Sequence, residues 1–267
     1  MKTQAKGTVL ITGASSGIGA IYADRFARRG HDLILIARNA ERLASVARRI
    51  ADATGRKVAT IKADLTLPAD LKNIEHVLRT DTQISVLVNN AGIGAADVLV
   101  ASDVDKMEAM IDLNVTALTR LTYAAVPAFV ARGNGTIINI ASAVAIAPEL
   151  LNGVYGATKA FVLALTQSLL HEIAGQGVRV QAVLPGATAT EFWDIAGKPV
   201  HQLPTEIVMS ADDLVDAALA GLDLGETITI PSLSNQVEWD RYEAQRRAMT
   251  LKLSSAITAP RYNLHHR

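Results

Sequence analysis

The stretch Thr8-Val9-Leu10-Ile11-Thr12-Gly13-Ala14-Ser15-Ser16-Gly17-Ile18-Gly19 decides how this chain is read. A β-branched apolar run enters a turn with three glycines, and a helical pattern follows to about Arg29. Glycine lets a backbone turn tightly and approach a ligand with no Cβ in the way. A helix starting there offers free N–H groups and a partial positive charge to a pyrophosphate, and Ser15 and Ser16 can add hydroxyl donors. The same turn could be purely structural; the strand–turn–helix context is what favours a nucleotide.

Outward from this unit, short apolar runs alternate with longer helical patterns. Strands are expected at Asp32–Ile36, Lys57–Lys62, Val86–Asn89, Gly135–Ile140, Val178–Val183 and Thr227–Ile230. Helices are expected over Ala40–Asp52, after Pro68, from about Val104 to Ala131 and from about Gly153 to Ala174. Such alternation implies βαβ units with right-handed crossovers. Val9-Leu10-Ile11 and Leu33-Ile34-Leu35-Ile36 are apolar throughout, which fits strands covered on both faces. The expected fold is therefore α/β, one Rossmann-type doubly wound parallel sheet of about seven strands, with residues 1–267 as a single domain. Residues 187–209, with Gly197, Pro199 and Pro204, have weak periodicity and read as a lid over a site. Ser210 and Asp213 resemble a capping box for the following helix. Residues 231–267 form an extension that holds Trp239, Tyr242 and a helical stretch, basic from Arg241 onward apart from Glu243.

Composition excludes several functions. Of 267 residues, 26 are Lys or Arg and 26 are Asp or Glu, a zero net charge that lacks the basic footprint of a nucleic-acid binder. A hydrophobic fraction of 49% and a mean hydropathy of +0.22 suit a large core rather than disorder. Cysteine is absent, which removes disulfides, thiolate metal sites and cysteine nucleophiles, and suits a cytoplasmic location. The polar stretch Met1 to Gly7 does not read as a signal peptide, and the apolar runs fall short of the ~20 residues of a membrane helix. The histidines His31, His76, His171, His201, His265 and His266 show no HxxxH pairing, so no metal site is expected.

Further motifs follow in order. Asn89-Asn90-Ala91-Gly92 closes the fourth strand, Ser142 follows the fifth, and Pro185-Gly186 follows the sixth. Tyr155-Gly156-Ala157-Thr158-Lys159 places a phenol and an ammonium one helical turn apart on one face. A free tyrosine titrates near pH ~10, and a nearby cation favours its phenolate. A Tyr and a Lys at this spacing are often plain helix surface; their position shortly after a strand ending in Ile140-Ala141-Ser142 gives them force. Together with the TGxxxGxG turn, these motifs resemble those of the short-chain dehydrogenase/reductase family, over roughly Thr8 to Ile230.

The resemblance implies an oxidoreductase that interconverts a carbonyl and a secondary alcohol by hydride transfer with a nicotinamide dinucleotide. It implies Tyr155 as acid/base, Lys159 on the nicotinamide ribose hydroxyls, and Ser142 orienting the substrate oxygen. It implies that Asn114 holds a relay water, with a helix kink as the alternative. The cofactor would meet Gly13, Ser15, Ser16, Gly17, Ile18 and Gly19 at the turn, and Asn90, Ala91 and Gly92 along its adenosine ribose, with Asn89 tying adjacent strands. Asp64 and Leu65 would meet the adenine, although Asp64 could equally be a cap. Pro185, Gly186, Thr188 and Thr190 would close over the nicotinamide, although the threonines could cap a helix.

The second strand ends Leu35-Ile36-Ala37-Arg38-Asn39, without the acid that binds the ribose 2′-hydroxyl of NAD. The planar fork of Arg38 suits a 2′-phosphate, so NADP(H) is favoured over NAD(H); a surface arginine ending a strand is the other reading. Residues 143–152 are mostly apolar and Phe192-Trp193 opens the lid, which points to an apolar or modestly sized carbonyl substrate, with Glu149 the one nearby charge. Phe161, Val162, Leu163, Leu165, Leu169 and Leu170 nearly encircle their helix, so a homodimer or homotetramer is expected. Competing readings on the same fold are a non-catalytic dinucleotide sensor, an NAD-dependent alcohol dehydrogenase, and an epimerase or dehydratase.

Overall fold

A computed structural model describes residues 6–262; the His265-His266 pair and most of the polar Met1 to Gly7 stretch lie outside the described residues. Residues up to Pro231 form one compact unit and those from Ser232 a second, smaller one. The first half of the large unit runs β1 (Thr8–Thr12), α1 (Gly17–Arg28), β2 (Asp32–Ala37), α2 (Ala40–Thr54), β3 (Val58–Lys62), α3 (Pro68–Thr80) and β4 (Ile84–Asn89). The second half runs α4 (Val104–Ile111), α5 (Leu118–Ala131), β5 (Gly135–Ile140), α6 (Gly153–Glu172), β6 (Val178–Val183), β7 (Thr188–Ala189), α7 (Phe192–Ile195), β8 (Met209–Ser210), α8 (Ala211–Leu224) and β9 (Ile228–Thr229).

Seven strands pair in the order β3-β2-β1-β4-β5-β6-β9, all parallel. This is the expected doubly wound sheet, and strand order reverses between β1 and β4. Ligands of open α/β sheets bind beyond the strand C-termini at such a reversal. Alternate residues of each strand feed opposite cores. Val9, Ile11, Leu33 and Leu35 pack with α1, α2 and α8, while Leu10, Ile34 and Ile36 pack with α3, α5 and α6. That is why the strands carry no polar alternation. Buried Glu75 of α3 pairs with Arg79 at 2.8 Å and with Arg120, pinning α3 to α5. No helix of the described residues is long and apolar enough to cross a membrane.

Two local expectations change. The helix expected from Val104 to Ala131 is divided: a π-helical turn, Asp112–Ala117, separates α4 from α5. Such a turn accommodates an extra residue and is common at functional sites; here it carries Asn114, whose amide takes partners outside the helix. The lid over 187–209 is less irregular than its composition suggests. Its ends pair as β7 and β8, Thr188 with Met209 and Ala189 with Ser210. Ser210 then caps α8, its hydroxyl oxygen accepting from the Asp213 N–H at 3.0 Å.

In the smaller unit Asn235 caps α9 (Gln236–Ala248). There Glu243 pairs with Arg246 and Arg247, and Trp239 lies against Tyr242 with ring centroids 5.3 Å apart.

Candidate active site

A cavity of about 450 Å³ opens at the C-terminal ends of β1, β4, β5 and β6. One end is the glycine turn. Gly13 has a left-handed φ of +65°, and a Cβ there would lie 2.8 Å from Asn90 Nδ2. A Cβ on Gly19 would overlap the Gly13 carbonyl oxygen and Asn90 Nδ2. The turn is locked from below. Thr12 Oγ1 accepts from the N–H groups of Asn90 and Ala91 at 3.0 and 2.9 Å, and Asn90 Nδ2 donates to the carbonyls of Thr12 and Gly13. Asn90 therefore lines the cavity while its amide nitrogen braces the cradle. Ser16 is the N-cap of α1, and its side chain makes no capping bond. A cavity-lining hydroxyl, an open helix N-terminus and a turn with no room for Cβ atoms fit a dinucleotide pyrophosphate. Gly19→Ala should displace this cradle by enough to weaken nucleotide binding about 10²-fold, as read by titration of NADPH fluorescence, with the fold retained by circular dichroism.

At the C-terminal end of β2, Arg38 is 65% exposed on its side chain, with Nη1 4.0 Å from Asp64 Oδ2. Asp64 Oδ1 accepts from the Thr66 N–H and hydroxyl at 3.0 and 2.7 Å. Burial pushes the Asp64 carboxyl up, but the Thr66 donors and the Arg38 charge outweigh it and hold the group below its usual range. Asp64 thus makes a local turn and also faces Arg38. Leu65 is buried beneath it. Ser15, Gly19, Arg38, Asp64, Leu65 and Asn114 do not form the cavity wall; Gly13, Ser16, Gly17, Ile18, Asn90, Ala91 and Gly92 do.

The other wall gathers Ser142, Tyr155 and Lys159. Ser142 caps a short turn after β5, and its hydroxyl donates to the Pro185 carbonyl at 3.3 Å. Asn152 caps α6, accepting from the N–H groups of Val154 and Tyr155, while its Nδ2 donates to the Asp97 carbonyl at 2.6 Å. Tyr155 and Lys159 lie on the buried face of this helix, 6% exposed each. Lys159 Nζ donates to the Ile140 carbonyl at 2.9 Å and stands 5.8 Å from the Tyr155 ring centroid. Burial holds the Lys159 ammonium down at about 8. Burial also pushes the Tyr155 phenol up to about 12, against an opposing pull from the Ser142 hydroxyl. This reverses the lowering expected from the sequence. The charged phenolate loses its hydration on burial, and that cost exceeds the help of the Ser142 hydroxyl.

Asn114 is 2% exposed. Its Oδ1 accepts from the Ile93 N–H at 3.0 Å, and its Nδ2 donates to the Ile93 carbonyl at 2.9 Å and to Thr158 Oγ1 at 3.1 Å. It clamps the segment after β4 to the helix bearing Tyr155, and both amide hydrogens are used. Asn89 bonds Asn139 and Thr122, tying β4 to β5 and α5. Thr188 donates to the Gly186 carbonyl at 3.2 Å, and the Thr190 hydroxyl oxygen accepts from the Phe192 N–H at 3.3 Å. Both threonines therefore have local roles, and Pro185, Gly186, Thr188 and Thr190 all line the cavity.

Sequence reasoning did not assign Phe192 to the phenol or find the lid's outer anchor. The Phe192 ring lies 5.5 Å from the Tyr155 ring, and Arg42 of α2 holds Glu191 at 2.6 Å. Neither is signalled by spacing, since each pair is far apart in the chain. Among the described residues no cluster of His, Asp or Glu could hold a metal ion.

Comparisons with known proteins identify the family. The profile of the short chain dehydrogenase family matches residues 7–199. A short-chain dehydrogenase from Sphingobium yanoikuyae, solved with NADPH, is 51% identical, with a TM-score of 0.92 over 96% of this chain and 100% of that one. A bulky-bulky ketone specific alcohol dehydrogenase from Comamonas testosteroni is 44% identical, with a TM-score of 0.89 over 97% of this chain and 99% of that one. Human 17-beta-hydroxysteroid dehydrogenase type 3 is 32% identical over 81% of this chain and 68% of its own length. This chain belongs to the short-chain dehydrogenase/reductase family, whose members are NAD(P)-binding oxidoreductases of carbonyls and alcohols.

Proposed function

We propose that the protein reduces bulky apolar ketones, and oxidises the matching secondary alcohols, with NADP(H). The observation that carries this reading is the convergence of Ser142, Tyr155 and Lys159 on one wall of an apolar cavity whose other end is the glycine turn. Bound dinucleotide supplies or accepts the hydride. Tyr155 donates its phenolic proton to the carbonyl oxygen, or accepts one from the alcohol. Ser142, beside that phenol, orients the same oxygen. Lys159 presents its ammonium to the nicotinamide ribose from beneath, and Asn114 keeps its helix in register with the segment after β4. Ile93, Val144, Leu151, Phe192 and Leu203 give the substrate an apolar, water-poor wall. The ketone-specific Comamonas enzyme supports a bulky substrate.

The preference for NADP(H) is supported by exposed Arg38 at the end of β2, where no acid stands, and by the NADPH-bound Sphingobium relative. Arg38→Gln is expected to weaken NADPH binding about tenfold, the scale of one charge-assisted phosphate contact, and to leave NADH binding unchanged. Isothermal titration with both nucleotides tests this, together with a panel of ketones; equal losses for the two nucleotides would sink the assignment.

Residues 1–267 are proposed as one cofactor-binding domain with a lid at 187–209 and an extension from 231, working in the cytoplasm. Exposed Ile111, Tyr123 and Phe161 support a homodimer or homotetramer, which light scattering would detect.

A further inference from the structure

The path of the lid across the cavity is fixed by three contacts. Thr190 packs on the glycine turn, its Cγ2 3.3 Å from where a Cβ of Gly17 would stand. Phe192 then lies over Tyr155 and against Gly94. Finally the Ala196 carbonyl accepts from the Ala96 N–H at 3.0 Å, docking the lid on the segment after β4. The lid thus runs from the pyrophosphate end, across the phenol, to the far side. Lys198 follows two residues later and also lines the cavity. Its backbone is held by a bond from its N–H to the Trp193 carbonyl at 3.0 Å.

Three charged residues line the cavity, namely Lys159, Glu191 and Lys198. Lys159 is bonded to the Ile140 carbonyl and Glu191 to Arg42. The Lys198 side chain has no hydrogen bond or ion pair among the described residues, and Asp194 on the same segment does not pair with it. Around it the lid wall is apolar: Ile195, Leu203, Pro204 and Ile207. A lysine at the rim of such a wall keeps its head hydrated while its stem covers apolar surface, and it offers a point charge to whatever enters.

We infer that Lys198 selects ketones bearing a carboxylate at the end of the molecule remote from the carbonyl. The carbonyl meets Tyr155 and Ser142, the apolar body lies along the lid, and the carboxylate reaches the Lys198 ammonium. This rests on the carbonyl-reducing reading of the cavity.

The test compares butyrophenone with benzoylpropionate, which differ by a methyl in place of the carboxylate, on wild type, Lys198→Met, Lys198→Arg and Lys198→Glu. Lys198→Met should raise KM for benzoylpropionate about fivefold, the scale of one partly exposed ion pair, and leave kcat and the butyrophenone KM unchanged. Lys198→Arg should restore the low KM, and Lys198→Glu should raise it further. Measurable butyrophenone reduction with a benzoylpropionate KM indifferent to Lys198 overturns this inference alone. A shift in the NADPH dissociation constant of Lys198→Met, with both ketones affected alike, assigns the lysine to the nucleotide and also overturns it. Failure of wild type to oxidise NADPH with either ketone overturns the ketone reading and this inference together.

Discussion

Tyr155→Phe should lower kcat by about 10²–10⁴, the usual worth of a positioned acid–base group, while the dissociation constant for NADPH stays near that of the wild type. The substitution removes only the hydroxyl, and the ring keeps its packing beneath Phe192. Burial holds the phenol at about 12 in the nucleotide-free protein, so it is protonated across the neutral range and ready to donate. Carbonyl reduction should therefore vary little with pH in the neutral range. Alcohol oxidation needs the phenolate, and its rate should climb as pH rises toward the phenol's own value. Stopped-flow fluorescence at several pH values measures both directions. Turnover in Tyr155→Phe that matched the wild type would remove Tyr155 from the chemistry.

Lys159→Met should separate activity from stability. Turnover should fall by at least about 10², since the ammonium beside the Tyr155 ring, and the ribose contact proposed for it, are lost. Stability near neutral pH should rise. Burial lowers the folded ammonium from its ordinary 10.5 to about 8, so the unfolded chain binds more protons between those values. Wild-type stability therefore increases with pH across that window and is lowest below it, where a charged ammonium stays buried. Methionine removes that penalty, about 3 kcal/mol by the size of the shift, and forfeits the bond to the Ile140 carbonyl, about 1 kcal/mol. The net expectation is a gain of about 2 kcal/mol, or a rise in Tm of roughly 4–8 °C, with a flatter dependence on pH from 8 to 10.5. Thermal denaturation at neutral and alkaline pH reads this directly. An unchanged or lowered Tm would mean that the buried charge is already compensated.

These two residues also show how much of the site was legible from the chain. Tyr155 and Lys159 are four apart on one helix, so their shared face follows from helical geometry alone. The glycine turn was legible for the same reason, since its strand, turn and helix are contiguous. The sheet was legible because strands such as Val9-Leu10-Ile11 are apolar on both faces, which only a doubly covered sheet accommodates. Asn114 was legible only through the resemblance, as a relay-water holder or a helix kink. Its clamp on Ile93 and Thr158 was not, because partners 21 and 44 residues away carry no local pattern.

The sequence by itself determined the alternation of sheet strands and helices, the glycine turn and the spacing of Tyr155 and Lys159. Each rests on contacts within a few residues, which local backbone geometry governs. Tertiary structure decided the rest. It raised the Tyr155 phenol instead of lowering it, because burial is a property of everything packed around the ring. It turned Asn90 inward to brace the turn. It laid the segment after β6 from Thr190 over Tyr155 to Ala96, and brought Lys198 to the cavity wall. Desolvation, charge pairing and lid placement are sums over residues distant in the chain, and only the folded molecule performs those sums.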